Sequence, residues 1–270
     1  MPFTPAHAVV ALPFVRTPLY PAAIAVGAMT PDLPLFVRGT PLTYGLLHTN
    51  PLVSVVVALA LLALWYLLLR PAVRELAPAC LARRLPPMWD TTGARSWRSI
   101  RASRPGAQNP IRQSTAVFAA MLGISLLIGV VSHIVWDSFT HEGRSGLQLF
   151  PALTQQWGPL PGYKWLQYGS SVGGVLVLAL CGAVWLRRRA PGELHRLLPT
   201  SMRVAWWLAL PLALAFAWGW GLLAYGPLTP EWTVQHLAYR VLPPACAVWA
   251  VLTVALCVGI LVAKRRAGRR

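Results

Sequence analysis

Charged residues are scarce in this chain of 270 residues, and acidic ones are the scarcest. Asp, Glu, Lys and Arg make up 11% of the sequence, whereas soluble domains carry about 25%. This deficit argues against a water-soluble enzyme and against a disordered chain. The four cysteines form neither a CxxC pair nor zinc-finger spacing, so we expect no disulfide framework and no redox site. No internal repeat and no signal peptide are predicted.

Long apolar runs are abundant instead. A helix needs about 20 apolar residues to cross a bilayer, and five runs approach or reach that length. We therefore expect an all-α, multi-pass membrane helical bundle that forms one domain over residues 1–270. The predicted transmembrane helices are 52–69, 116–136, 171–186, 204–225 and 244–263. Asn50 and Pro51 precede the first of them and are typical of a helix N-cap followed by proline at the first helical position.

The N-terminal region, residues 1–51, carries a broken apolar stretch. Val9–Met29 is interrupted by Arg16 and by three prolines. This pattern predicts a short helix, an interfacial or re-entrant turn, and a second short helix. The alternative is a sixth, broken span.

Positive charge is unevenly divided among the loops. Loop 70–112 holds nine Lys and Arg residues, and loop 187–203 and the C-terminal tail hold five each, whereas loops 138–169 and 226–241 hold two and one. The positive-inside rule places the rich segments in the cytoplasm and the N-terminal region outside. The net charge of +17 is therefore an orientation signal on a protein whose partner is the lipid bilayer, and no nucleic-acid partner is expected.

The basic cytoplasmic loop 70–112 is predicted to be solvated and partly disordered. A helix over Arg70–Leu85 along the membrane surface is compatible with this, because arginine-rich segments are attracted to anionic lipid. The alternative is a specific nucleic-acid or lipid-headgroup site in this loop.

Most histidines and several carboxylates fall on the side that the arginines avoid. His133 and Asp137 end the second span at i and i+4, so they share one helix face, and His141 follows one turn later. A His-x-x-x-Asp pair gives imidazole nitrogen and carboxylate oxygen to one ion, which suits Zn²⁺ and also Mn²⁺ or Fe²⁺. The alternative for His133 and Asp137 is a hydrogen-bonded pair between helices. Asp32 and His7 also lie on this side of the membrane. The alternative for Asp32 is a turn-capping residue, and that for His7 is an ordinary N-terminal residue.

A G-x-S-x-G pattern at residues 169–173 has Ser171 at its centre. The hydrolase motif of this form needs a strand before the serine, and none is predicted here. Small-residue helix packing at the start of the third span is the favoured interpretation.

Four segments together resemble a bacterial integral-membrane family known as domain of unknown function 4184. They are MPFTPAH at 1–7, GAMTPD at 27–32, LHT at 47–49 and GVVSHIVWDSFTH at 129–141. Their order also resembles membrane-bound metal-dependent hydrolases and, more distantly, zinc-dependent phospholipase C.

The resemblance implies a set of metal ligands and a function. The implied ligands are His7, Asp32, His48, His133 and Asp137, with His141 as an alternative further ligand. One or two divalent ions are expected, zinc first, with manganese or iron as alternatives. His141 and Glu142 are the candidate general base or acid, and the implied activity is hydrolysis of a lipid or envelope ester or phosphoester at an outward-facing site. A non-catalytic membrane metal-binding or transport protein is the alternative.

Overall fold

The computed structural model describes residues 3–102 and 114–267, so the end of the predicted basic loop and the last three residues lie outside the described chain. Two compact units are present. The first comprises Met1–Leu33, Thr43–Leu64 and Trp97–Arg189, and the second comprises Pro34–Leu42, Trp65–Ser96 and Ala190–Arg270.

Helices dominate both units, which confirms the predicted all-α fold. The α-helices are α1 Pro21–Met29, α2 Tyr44–Thr49, α3 Pro51–Leu64, α4 Val73–Leu76, α5 Ala79–Ala82, α6 Gly93–Ala102, α7 Thr115–Thr140, α8 Ser145–Leu149, α9 Gly162–Arg187, α10 Thr200–Tyr225 and α11 Val234–Ala267. Shorter 3-10 segments are Thr4–Phe14, Thr30–Leu35, Arg70–Ala72, Pro87–Asp90 and Pro151–Thr154, and Trp65–Leu69 is a π-helical turn. Strands β1 Gln156–Trp157 and β2 Leu160–Pro161 form a two-residue antiparallel pair, with Gln156 opposite Pro161.

Five helical runs in the described chain are long and apolar enough to cross a membrane. They are Pro51–Leu76, Thr115–Thr140, Gly162–Arg187, Thr200–Tyr225 and Val234–Arg266. Each extends beyond the apolar run that predicted it. In the third, α9 begins at Gly162 rather than near Ser171. Its first turns carry Tyr163, Lys164 and Gln167, whose polarity hides the start of the helix from a search for apolar residues.

The N-terminal region of the first unit forms two short helices, as predicted. The 3-10 helix Thr4–Phe14 and α1 are both too short to span a bilayer. The backbone N–H of Tyr20, just before α1, donates to the buried Ser125 hydroxyl on α7 at 3.0 Å. The predicted N-cap of α3 is also confirmed, since the Asn50 side chain accepts a hydrogen bond from Val53 N at 3.1 Å.

Glycines set the closest helix approach in the first unit. α1 crosses α7 where Gly27 meets Gly129, and a Cβ built at Gly129 would lie 2.2 Å from the carbonyl oxygen of Ile24. Only glycine fits there, because a side chain would have to push the two backbones apart. This contact fixes the position of α1 against the part of α7 that precedes His133.

The G-x-S-x-G segment lies inside α9, where no strand precedes it. Ser171 donates to the Gln167 carbonyl at 2.7 Å and accepts a hydrogen bond from Phe3 N at 2.9 Å, so its hydroxyl is used for structure. The expectation of helix packing through Gly169 and Gly173 is wrong, since a Cβ at either position would meet no described atom within 4 Å. The close approach in α9 is made by Gly174, which lies against Ala6.

The second unit has an apolar core around α11, formed by Ala72, Leu76, Cys257, Ile260 and Leu261. Next to this core in the chain, the expected solvated loop proves to be folded as far as residue 102. Arg74 and Glu75 are 6% and 2% exposed. Three short helices replace the predicted single helix over Arg70–Leu85. The first two end before Pro78, and the third ends near Arg83.

Arg74, Glu75 and Asp90 of this segment and Lys264 of α11 all have hydrogen-bond partners, and we call these four residues the Arg74 network. Arg74 donates to the Asp90 carboxylate, to the Ala82 carbonyl at 3.1 Å and to the Glu193 carbonyl at 2.8 Å. Lys264 donates to Asp90 at 2.8 Å. Glu75 accepts hydrogen bonds from the backbone N–H groups of residues 197 and 198 at 3.0 and 3.3 Å.

Candidate metal centre

Four separate elements of the first unit bring five side chains together. His7 lies on the 3-10 helix Thr4–Phe14, Asp32 on the 3-10 helix Thr30–Leu35, His48 near the end of α2, and His133 and Asp137 in the last two turns of α7. We call these five residues the His/Asp cluster. They are the ligands that the family resemblance implied, and all five are buried.

The potential ligand atoms of the cluster are closely spaced. One atom from each of Asp32, His48, His133 and Asp137 lies within 4.8 Å of the other three. His133 Nε2 is 3.6 Å from Asp32 Oδ1 and 3.4 Å from Asp137 Oδ2. His48 Nε2 is 3.6 Å from Asp137 Oδ2, and His7 Nε2 is 3.7 Å from Asp137 Oδ1. Asp137 therefore lies at the centre, with each carboxylate oxygen facing a different part of the cluster.

These separations fit ligands of a shared cation better than direct hydrogen bonds. N–H···O bonds in proteins measure about 2.7–3.2 Å, which is shorter than each of the four contacts. Ligand atoms of a tetrahedral zinc site with bonds of about 2.0–2.1 Å stand about 3.3–3.4 Å apart. The alternative of a hydrogen-bonded His133–Asp137 pair is therefore disfavoured by the distance between them.

The inward-facing atoms of the cluster have no hydrogen-bond partner among the described residues. They are His7 Nε2, Asp32 Oδ1, His48 Nε2, His133 Nε2 and Asp137 Oδ1. A buried polar atom without a partner costs about 1–3 kcal/mol, and five such atoms pointing at one another would be a large penalty. A bound cation removes that penalty, so the residues present fit a metal ion.

Hydrogen bonds on the far side of the rings orient two of the histidines. His133 Nδ1 lies 2.7 Å from the Ala28 carbonyl, and His48 Nδ1 lies 2.9 Å from the Tyr44 carbonyl. A carbonyl only accepts, so both Nδ1 atoms carry the proton. In the neutral rings the Nε2 lone pairs then face the cluster, as in protein sites whose metal-binding histidines are held by an outer hydrogen bond.

Two hydroxyl groups orient the carboxylates, and neither was identified from the sequence. Thr4 Oγ1 donates to Asp32 Oδ2 at 2.7 Å, and the Tyr44 phenol donates to Asp137 Oδ2 at 3.2 Å. Tyr44 also stacks on His48 with ring centroids 3.7 Å apart. The signal for Tyr44 was its spacing, because it precedes His48 by four residues on one short helix, whereas Thr4 has only its nearness to His7.

Burial shifts the titration of the groups outside the spanning helices. Burial and the neighbouring His133 ring lower the pKa of His7 to about 3, so this imidazole is neutral and offers a lone pair. Burial raises the pKa of Asp32 above its ordinary value, and burial likewise raises that of the Tyr44 phenol, which stays a hydrogen-bond donor. A cation next to Asp32 would favour its ionised form and reverse the shift.

His141 lies at the edge of the cluster, with 18% of its side chain exposed and Nδ1 3.6 Å from Asp137 Oδ2. Its Nδ1 also lies 3.1 Å from the Asp137 carbonyl, and Nε2 faces the buried Gln167 amide at 3.5 Å. Burial lowers the pKa of His141. The Glu142 carboxylate contacts a residue outside the cluster, since it accepts a hydrogen bond from Tyr163 at 3.3 Å.

Three imidazole nitrogens and two carboxylates form the donor set. This combination suits Zn²⁺, Mn²⁺ and Fe²⁺ and is unlike the all-oxygen shells of Ca²⁺ and Mg²⁺. The fold and the cluster thus define a multi-pass membrane protein with a possible metal site formed by Asp32, His48, His133 and Asp137.

The chain belongs to a family whose function is not known. Residues 1–263 match the family described as Domain of unknown function (DUF4184), which confirms the family resemblance. No curated protein and no solved structure matches the chain. The match covers all five residues of the His/Asp cluster.

Proposed function

We propose that the protein is a membrane-embedded, metal-dependent hydrolase with His7, Asp32, His48, His133 and Asp137 as metal ligands. The convergence of buried, unpartnered ligand atoms carries this proposal. A divalent ion held by such a set supplies Lewis-acid chemistry and lowers the pKa of a bound water toward about 7. Zinc is the first candidate, and manganese or iron are the alternatives.

His141 is the candidate general base. It is the most exposed imidazole that contacts Asp137, so it combines access to solvent with closeness to the ligands. Glu142, one residue later, is the alternative. Arg144 contacts the Tyr44 ring at 5.5 Å, and its guanidinium provides a positive group for an anionic substrate.

A lipid or envelope ester or phosphoester is the proposed substrate class. His133 and Asp137 occupy the last two turns of α7, which is the end of a candidate span and hence the level of the lipid head groups. A water-soluble substrate would not require a site at that depth.

A closed, non-catalytic metal site is the second candidate function. Structural metal sites are saturated by protein ligands, whereas catalytic sites keep an open position. The four residues of the closest set already provide four ligand atoms, which would saturate a single tetrahedral ion. If two ions shared Asp137, the five residues of the His/Asp cluster would be too few to saturate both, and a position would stay open for water.

Metal analysis of the purified protein tests the shared part of both candidates. Wild type and His236→Ala, which changes an exposed histidine, are expected to carry stoichiometric transition metal. His133→Ala and His48→Ala are expected to carry less than a tenth of it, because each loses a ligand. A wild-type protein that stays free of metal after reconstitution with Zn²⁺, Mn²⁺ and Fe²⁺ contradicts the proposal.

Turnover separates the hydrolase from the closed site. Chelator-sensitive release from a panel of lipid esters and phosphodiesters is expected for wild type. His141→Ala should retain metal and lose about 10²–10⁴-fold in kcat, the usual contribution of a general base. Glu142→Gln should stay near wild type. If Glu142→Gln loses activity and His141→Ala does not, Glu142 is the base. A metal-loaded protein with no turnover on the panel favours the non-catalytic function.

The proposed location is the bacterial cytoplasmic membrane, with the N-terminus outside and the C-terminus in the cytoplasm. Exposed Cys80 is a native probe for the inner side. In a Cys181→Ala background it should react with an impermeant maleimide only after the cells are permeabilised, whereas Thr40→Cys in a Cys80→Ser protein should react in intact cells. Labelling of both positions from one side contradicts this topology.

A further inference from the structure

An apolar cavity lies beside the His/Asp cluster within the first unit. Its volume is about 320 Å³, and its lining comes from the 3-10 helix Thr4–Phe14, α7 and α9. The lining residues are Ala6, His7, Val9, Val10, Ser132, Trp136 and Ser170. Ligand pockets in proteins measure about 300–1,000 Å³ and are mostly apolar, so this cavity has the size and character of a small-ligand site.

Apart from His7, the polar side chains in the lining already form hydrogen bonds within the protein. The Ser132 hydroxyl donates to the Gly129 carbonyl at 2.7 Å, the Trp136 indole donates to Ser170 at 3.2 Å, and Ser170 donates to the Gln167 carbonyl at 3.3 Å. A polar guest would therefore find these three donors occupied. The chemistry of the lining favours an aliphatic group.

The cavity and the cluster share His7 and two turns of α7. Ser132 and Trp136 are spaced i, i+4 and face the cavity, whereas His133 and Asp137, each one residue further on, face the cluster. One residue step turns a helix by about 100°, so the same two turns present neighbouring faces to the two sites. A molecule that lies in the cavity has its end near His7, whose Nε2 is 3.7 Å from Asp137.

The cavity is open to the surface, since its lining residue Trp136 is 39% exposed, and further exposed apolar side chains lie on the same helices. Val131 and Val135 on α7 are 41% and 51% exposed, and Val172 on α9 is 62% exposed. Exposed apolar residues on candidate spanning helices face lipid, so an acyl chain has direct access from the bilayer. We infer that the cavity binds a single aliphatic chain of an amphiphilic substrate and thereby places its ester or phosphoester head group at the His/Asp cluster. This inference rests on the proposed function and narrows its substrate class to chain-bearing lipids.

Photolabelling tests chain binding without any need for turnover. The purified protein would be reconstituted in phosphatidylglycerol vesicles that contain a minor fraction of the same lipid with a diazirine on one acyl chain. The expected label lies on Val9, Val10 and Trp136. Val9→Phe fills the cavity and should lower that label about tenfold, which corresponds to about 1.4 kcal/mol of binding free energy. Val56→Phe adds the same atoms at an exposed position of α3 and should change nothing.

A polar variant and a metal assay test whether misfolding causes the loss of label. Val9→Thr keeps the shape of the side chain but adds a hydroxyl, and it should also lower the label. Both variants should retain wild-type metal content, which shows that the cluster is intact. Label that spreads evenly over lipid-facing residues, and that Val9→Phe leaves unchanged, overturns the inference and leaves the hydrolase proposal standing.

A chain-length series connects the cavity to catalysis. The value of kcat/KM for p-nitrophenyl alkyl phosphodiesters should rise with chain length in wild type and in Val56→Phe, and it should be flat in Val9→Phe. A flat series in wild type overturns the substrate role of the cavity even where turnover is present. Labelled cavity residues in a protein without chelator-sensitive turnover overturn the proposed function and the substrate role together.

Discussion

Two groups of buried ionisable residues differ in one respect, which is whether their atoms are satisfied within the protein. In the Arg74 network, Arg74 donates to a carboxylate and to two carbonyls, and Glu75 accepts from two backbone N–H groups. In the His/Asp cluster, five inward-facing atoms have no partner among the described residues. Arg74 and Glu75 are as buried as the residues of the His/Asp cluster, so burial alone does not distinguish them.

The Arg74 network stabilises the fold through its own hydrogen bonds. The His/Asp cluster is instead suited to bind a ligand. A network in which donors and acceptors match is stable as it stands. Lone pairs that converge without a donor are tolerable only if something positive lies between them. The first two of the following predictions change one group and use the other as the reference, and the third tests the helix crossing that supports the His/Asp cluster.

Removal of metal should have the largest effect, and it should act only through the His/Asp cluster. A ligand at about 1,000 times its Kd stabilises the folded state by about 4 kcal/mol. We therefore expect an excess of chelator to lower the free energy of unfolding of wild type by roughly that amount, measured by denaturant unfolding in detergent. Asp90→Asn, altered only in the Arg74 network, should show the same chelator effect.

His133→Ala provides the complementary control, since it is expected to have no metal to lose. Chelator should then leave its unfolding curve unchanged. Equal sensitivity of wild type and His133→Ala to chelator would show that the metal is bound elsewhere.

The second prediction compares two Asp→Asn changes in chelator-treated protein. Asp90→Asn leaves Arg74 without its carboxylate, and breaking a buried pair costs about 3–5 kcal/mol. Asp90 is 36% exposed in its side chain, so solvent screening lowers our expectation to about 2 kcal/mol. Asp137→Asn should be neutral or stabilising without metal, because it removes a buried charge that lacks a full set of donors.

Thermal unfolding in detergent measures both variants side by side. A large loss in chelator-treated Asp137→Asn would mean that the carboxylate stabilises the apo fold by itself, and the contrast between the two groups would fail.

The third prediction concerns the glycine crossing that positions α1 against α7. Gly129→Ala would place a Cβ 2.2 Å from the Ile24 carbonyl oxygen. We expect it to lower the free energy of unfolding by about 1–2 kcal/mol, as overpacking does, and to weaken metal binding by separating Ala28 from His133.

Gly123→Ala is the matched control on the same helix, since a Cβ there meets no described atom within 4 Å. It should stabilise the helix by about 0.5–1 kcal/mol and leave metal affinity unchanged. A Gly129→Ala protein with wild-type metal affinity, measured by competition with a chromophoric chelator, would show that the crossing does not support the site.

Apolar composition predicted which segments cross the bilayer but not where the helices begin and end. The start of α9 was missed because its first turns carry polar residues, of which Gln167 contacts His141, a residue distant in sequence. Lys164 donates to the Gln167 amide oxygen at 3.1 Å, and the amide nitrogen faces His141. The folded state of residues 70–102 was missed for a similar reason, because the partners of Arg74 and Glu75 are distant in sequence.

The residues of the candidate site also divide into those that a local sequence pattern predicts and those that it does not. Helical spacing placed His133 and Asp137 together, because i, i+4 geometry is local. Spacing says nothing about His7, Asp32 and His48, which the family resemblance joined to the set. The spacing of Tyr44 from His48 could have predicted its role, because the two residues are i, i+4 on one helix. No local pattern predicts Gln167, because its contact with His141 depends on the fold.

The hydrogen bond between His133 and Ala28 limits which residues position 133 can accept. Ala28 lies in the last turn of α1, where carbonyls lack partners within the helix, and the imidazole donates to it while its second nitrogen faces the cluster. Cysteine or aspartate at this position would offer a metal ligand but no donor for that carbonyl, and asparagine or glutamine would offer a donor but a poor ligand. Histidine alone among the natural side chains meets both demands, so one ring would serve both the packing of α1 against α7 and the proposed metal site.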